Sequence, residues 1–169
     1  MKSKKAKESL TILTDTVLPG ETNPLNNLFG GELLARMDRA TSIAASRHSN
    51  CICVTVSVNH VVFTKAVPVG SILQMEAKVS RAFSSSMEVF VDVWKEDRLT
   101  GNREKVNEGI YTFVAVNDLG RPIKVPQLIP ESKLEKERYI SALQRKQLSL
   151  VLSGKLAPKE ATELRALFE

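Results

Sequence analysis

Three kinds of chemical group fall within one short run, "TNPLNNLFGGELLARMD", residues 22–38. Asp38 supplies a carboxylate that can take a proton from water. Asn23, fifteen residues earlier, supplies an amide that can hold that water or donate to an oxygen. Between them stand Gly30 and Gly31, directly before an apolar helical run and with no Ser, Thr or Asp immediately ahead to cap it. A helix start of that kind leaves backbone N–H groups free, and glycine lets another molecule approach them closely. Such donors suit a carbonyl oxygen that gains negative charge during acyl transfer. Carboxylate, amide and helix terminus together make a hydrolytic set.

These groups need a helix and a scaffold to hold them. From Gly31 to about His48 no Gly or Pro intervenes, and Leu33, Leu34, Met37, Ala40, Ala44 and Ala45 recur at helical spacing. On a helical wheel Asp38 falls at the margin of this stripe, beside Leu34 and Ala45 and apart from Arg36, Arg39 and Arg47. A carboxylate there is expected to be partly desolvated, with its pKa raised. Residues 9–18 alternate as a first strand, and 51–63, 71–83, 86–99 and 103–118 as four more. Short turns separate the last four, which predicts an antiparallel meander. The fold class is therefore α+β, one long helix against one curved antiparallel sheet. Pro122, Pro126 and Pro130 lead out of the domain into two helical segments whose charge suggests a solvated or partner-facing tail. The expected division is a basic N-terminal tail at 1–8, one domain at 9–130 and a helical C-terminal extension at 131–169.

Bulk properties narrow the function. The 169 residues are 43% hydrophobic and 25% charged, ordinary for a globular chain. No apolar run is long enough to span a membrane, and the basic start lacks a secretion signal's apolar stretch. A cytoplasmic protein is expected, with no membrane partner. The net charge of +5 owes much to Lys2, Lys4, Lys5 and Lys7, and only 5% of residues are aromatic. Nucleic-acid binding is thus disfavoured, while a phosphate-bearing small molecule remains suited. Cys51 and Cys53 alternate on one strand face and read as reduced core residues. His48 and His60 have no patterned acid partner and read as structural, so no Ser-His-Asp set competes.

The segments "TNPLNNLFGGELLARMD", "VTVSVNHVVFTKAVPVGSIL", "SSSMEVFVDVW" and "YTFVAVNDLGRPIKVP" resemble the hotdog-fold acyl-coenzyme A thioesterases, in particular the cytosolic acyl-CoA hydrolase branch, from about residue 10 to 130. That resemblance implies a helix wrapped by sheet, two hotdogs paired into a continuous sheet, and often a trimer of such dimers. It implies catalytic roles for Asn23 and Asp38, an oxygen site at Gly30 and Gly31, and an active site between subunits. The reaction would be hydrolysis of fatty acyl-CoA to fatty acid and coenzyme A without a further cofactor or metal. Asp38 would act as general base or, through an anhydride, as nucleophile. Phe63, Lys65, Ser85, Ser86 and Arg103 are the candidates for substrate contacts: the serines for the pantetheine arm, Lys65 and Arg103, with Lys105, for the coenzyme phosphates. Two departures stand out. Many relatives carry glycine at the position of Asn26, and a glycine followed by a basic or small residue where this chain has Phe83 and Ser84. The competing class, a non-catalytic acyl-CoA-binding regulatory module, would need neither Asn23 nor Asp38.

Overall fold

The computed structural model describes residues 1–168. In chain order it contains β1 (Lys4–Lys5), β2 (Thr11–Thr16), α1 (Gly30–Ser49), β3 (Ile52–Phe63), β4 (Ile72–Ala82), β5 (Ser86–Glu96), β6 (Arg103–Val116), β7 (Leu128–Ile129), α2 (Lys133–Leu152) and α3 (Thr162–Arg165), with short 3-10 turns between. Leu33, Met37, Ala40, Ala44 and Ala45 form the buried stripe of α1. Its alanines let the sheet come close, and the helix ends at Asn50, whose left-handed φ of 57° closes the last turn onto the Ser46 carbonyl.

The five-stranded sheet has the order β2-β4-β5-β6-β3, antiparallel throughout. Only β4, β5 and β6 form the expected meander. β3 lies at the far edge beside β6, and residues 64–71 carry the chain back across the strand ends to β4. That crossing is pinned to the Asn23–Asn27 loop, where Leu28 N donates to Val67 O at 2.7 Å and Val69 N to Asn26 O at 3.0 Å. A short spacer in sequence therefore did not mean a hairpin. The burial of β5 shows its place in the middle: Met87 through Val93 are buried without alternation, because both sheet faces are covered.

The second face is covered by α2, so the segment expected as a solvated or partner-facing tail folds back onto its own sheet rather than standing in solvent. Arg138 binds both oxygens of Asp92 at 2.9 and 2.8 Å, and Arg145 binds Glu88 at 2.9 and 2.7 Å. Lys78 pairs with Glu135 at 2.8 Å, and the Arg81 guanidinium stacks on Tyr139. The charges of this helix were legible, but their partners lie on β4 and β5. At its N-terminus Ser132 and Glu135 form a reciprocal capping box. The N-terminal residues are drawn in as well: β1 pairs in parallel with β7, Lys4 Nζ donates to Arg47 O at 2.7 Å, and Lys5 pairs with Glu131. Among the described residues no helix is long and apolar enough to cross a membrane.

Candidate active site

Asn23 is held by its own turn. Its Oδ1 accepts from Leu25 N at 2.9 Å and Asn27 N at 3.2 Å, so the side-chain carbonyl closes the loop. Among the described residues nothing bonds its Nδ2 donor. Asn26 sits in this loop with φ 56°, the left-handed conformation that a glycine adopts without cost and an asparagine tolerates. Loop and helix are then locked together by a buried charge. Arg36, 2% exposed, donates to Glu21 Oε2 at 2.6 Å and to Thr16 O at 3.3 Å, while Glu21 O accepts from Phe29 N at 2.9 Å. The Leu18 N–H bond and Arg36 hold the Glu21 carboxyl below its ordinary pKa. Helix periodicity had left Arg36 outside the apolar stripe; the 15–21 segment covers it.

α1 begins at Gly30 with Phe29 as an N-cap that makes no side-chain bond. Its first amides, including that of Gly31, therefore have no intrahelical acceptor. The Phe63 ring lies over this start: a Cβ on Gly30 would stand 3.3 Å from it, so glycine is what permits the approach. Asn23, Gly30, Leu33, Phe63, Lys65 and Val67 line one open groove of about 320 Å³. Lys65 is ion-paired with Glu104, which also takes Lys95 at 3.0 Å. These two lysines hold the Glu104 carboxyl below its ordinary pKa, Lys65 most of all.

Asp38 lies roughly 10 Å further along α1 from Gly31, at about 1.5 Å per residue. It is half-buried, and its Oδ1 accepts from Thr55 Oγ1 at 2.9 Å. Among the described residues its Oδ2 has no hydrogen bond and no cation lies within ion-pair distance. Asp38 does not line the Asn23 groove. Thr55 was missed by sequence reasoning; the one available signal was a hydroxyl on the strand face shared with Cys53, which packs against the core. A bulge between Thr55 and Ser57 turns the strand just beyond it.

Of the remaining candidates the two serines stand apart, and Arg103 and Lys105 are held by acidic partners. Ser86 pairs with Val114 and Phe63 with Asn107, seven residues away along β6, or roughly 24 Å at about 3.4 Å per residue. Ser85 and Ser86 thus lie at the opposite end of the sheet from the groove. Arg103 is bound to Glu76 at 2.5 Å and stacks over Trp94, and Lys105 is bound to Asp92 and Glu108.

A long helix seated on a five-stranded antiparallel sheet defines the chain as a hotdog-fold protein; among the described residues that helix starts without a side-chain cap and carries a carboxylate with no ion pair. Comparison with known proteins agrees. Residues 25–102 match the family model described as the thioesterase superfamily. The chain is 40% identical over 139 residues to the uncharacterized acyl-CoA thioester hydrolase YkhA of Bacillus subtilis, covering 82% of this chain and 81% of that protein. A crystal structure of an apo-hexameric acyl-CoA thioesterase superposes with a TM-score of 0.84 at 39% identity, over 87% of this chain and 94% of that one. An acyl-CoA hydrolase from Staphylococcus aureus, solved with butyryl coenzyme A, coenzyme A and coenzyme A disulfide, gives 0.83 at 35% identity, over 97% and 99%. That hydrolase has also been crystallised with an asparagine, an aspartate or a threonine replaced by alanine. Those three residues are spaced fifteen and seventeen apart, the spacing of Asn23, Asp38 and Thr55 here. The chain belongs to the acyl-CoA thioesterases of the hotdog thioesterase superfamily, enzymes that hydrolyse the thioester of acyl-CoA.

Proposed function

We propose that this thioesterase cleaves fatty acyl-CoA at composite sites, each formed where two copies pair edge to edge along β3. Asp38 of one protomer accepts a proton from water, whose oxygen attacks the thioester carbonyl carbon. The partner subunit's Asn23 holds that water through Nδ2. The carbonyl oxygen, negative in the tetrahedral intermediate, is received by the Gly31 amide at the uncapped helix end. Breaking the C–S bond releases the fatty acid and the coenzyme A thiolate, which takes up the proton.

One observation carries this reading: within a single chain the Asn23 groove and the Asp38 carboxylate do not share a cavity, while the strand between them has an open edge. Among the described residues β6 is the one strand that pairs with β3, and Ile52, Val54, Val56, Val58 and Val62 are exposed along it. An uncovered apolar edge of that length calls for a partner strand. The hexameric relative supports further assembly as a trimer of dimers. Phe63 and Lys65 line the groove as substrate contacts, whereas Ser85 and Ser86, at the other end of the sheet, would meet substrate bound at another subunit's site. The free thiols of Cys51 and Cys53 suit the reducing cytoplasm.

Mixing two dead variants tests the composite site. Asp38→Ala and Asn23→Ala proteins, each nearly inactive alone, regain thiol release from acyl-CoA when exchanged into mixed dimers, because one of the two sites then has both groups. No recovery in verified mixed dimers places the site within one chain.

A further inference from the structure

Tyr111 projects from β6 against α1 and is 1% exposed. Its hydroxyl donates to Leu34 O at 3.2 Å. In an α-helix the carbonyl of residue 34 also accepts the amide of residue 38, so the phenol and the Asp38 backbone share one acceptor. Two residues before it, Gly109 has no side chain, and a Cβ there would stand 2.5 Å from Met37 Cε. The bare backbone thereby seats Met37, the neighbour of Asp38. From β3, Thr55 takes Asp38 Oδ1. The helical turn from Leu34 to Asp38 is thus held to the sheet by a phenol, a socket and a threonine. Burial pushes the Tyr111 hydroxyl well above its ordinary pKa, and the nearby Asp38 charge adds to this, so it stays a donor.

A phenylalanine would fill the same volume; the oxygen is what needs explaining, since a buried hydroxyl must find a partner. We propose that Tyr111 is a positioning residue for Asp38, locking the turn of α1 that aims the free Oδ2 at the water. This rests on Asp38 being the base. Displacements of about 1 Å at such a group can cost up to roughly 10²-fold in rate.

The test compares Tyr111→Phe, Asp38→Ala and the double variant, reading kcat, KM, melting temperature and assembly. Tyr111→Phe is expected to lower kcat about tenfold, with KM and assembly kept and melting temperature lowered only by the small amount that one lost buried hydrogen bond costs. Added to Asp38→Ala, it is expected to cost nothing more. The same loss in both backgrounds, or a wild-type kcat, overturns the inference. Full turnover in Asp38→Ala instead sinks the base assignment, and this inference with it. If the phenylalanine variant fails to assemble, Tyr111→4-aminophenylalanine, which keeps a donor, is expected to restore kcat; an assembled protein with a tenfold loss overturns the inference.

Discussion

Thr55 Oγ1 donates to Asp38 Oδ1 at 2.9 Å across the seam between β3 and α1. It is the one side-chain bond to that carboxylate among the described residues, and it leaves the second oxygen open. A strand residue thereby sets the direction of a helix residue seventeen positions earlier.

Replacing Thr55 with valine keeps the shape and removes the donor. The expected result is a fall in kcat of about tenfold, with Thr55→Ser restoring most of it. Steady-state kinetics on both variants, beside a melting curve, decide this; equal activity in the valine variant would show the bond to be idle.

Arg36→Ala should destabilise the protein and disorganise the Asn23 loop, because Glu21 then loses the cation that ties it to α1. Breaking a buried pair costs roughly 3–5 kcal/mol. The Glu21 side chain left behind keeps 26% of its surface in water, so water screens its charge and the loss falls below that range. Denaturant unfolding gives the number, and KM for acyl-CoA should rise with it.

His48 makes stability depend on pH. It is fully buried on α1, its Nε2 donates to Pro126 O at 2.8 Å, and among the described residues its Nδ1 has no partner. Burial lowers its pKa from the ordinary 6.5; the Pro126 bond and Glu8 oppose this, and Lys4 adds to it. A depressed folded value means that the unfolded chain binds the proton more readily. The stability is thus complete above about pH 6.5 and is lost as pH falls through the lower folded value. Glu135 acts elsewhere in pH: burial pushes its pKa up, but Lys78 and the Glu131 and Ser132 amides hold it at about 2, so its share is lost only in stronger acid. Melting temperature should therefore drop between pH 7.5 and 5.5 in the parent protein and drop less in His48→Gln.

Phe63→Ala removes the ring that lies on Gly30 and lengthens the groove. The ratio of kcat/KM for a long acyl chain over a short one should rise by about tenfold. A series of acyl-CoAs of graded length measures it, and an unchanged ratio would mean that the acyl chain runs elsewhere.

Much of this protein was legible in its residues alone. The stripe Leu33, Met37, Ala40 and Ala44 specifies a helix with one buried face, and alternating valines specify strands, because burial on one face imposes a period of about 3.6 or 2. The stretch from Asn23 to Asp38 was equally readable, since an uncapped glycine start and an acid beside an apolar stripe are local facts. Strand order was not. Whether β3 pairs with β4 or with β6 depends on segments 44 residues apart by the Phe63–Asn107 pairing, and periodicity is the same either way. The inward charges of α2, the burial of Arg36, and the meeting of Thr55 and Tyr111 with one turn of α1 arise from that packing. Tertiary structure alone decides them, because a residue's partner across a sheet is set by register and crossover, which one-dimensional spacing does not encode.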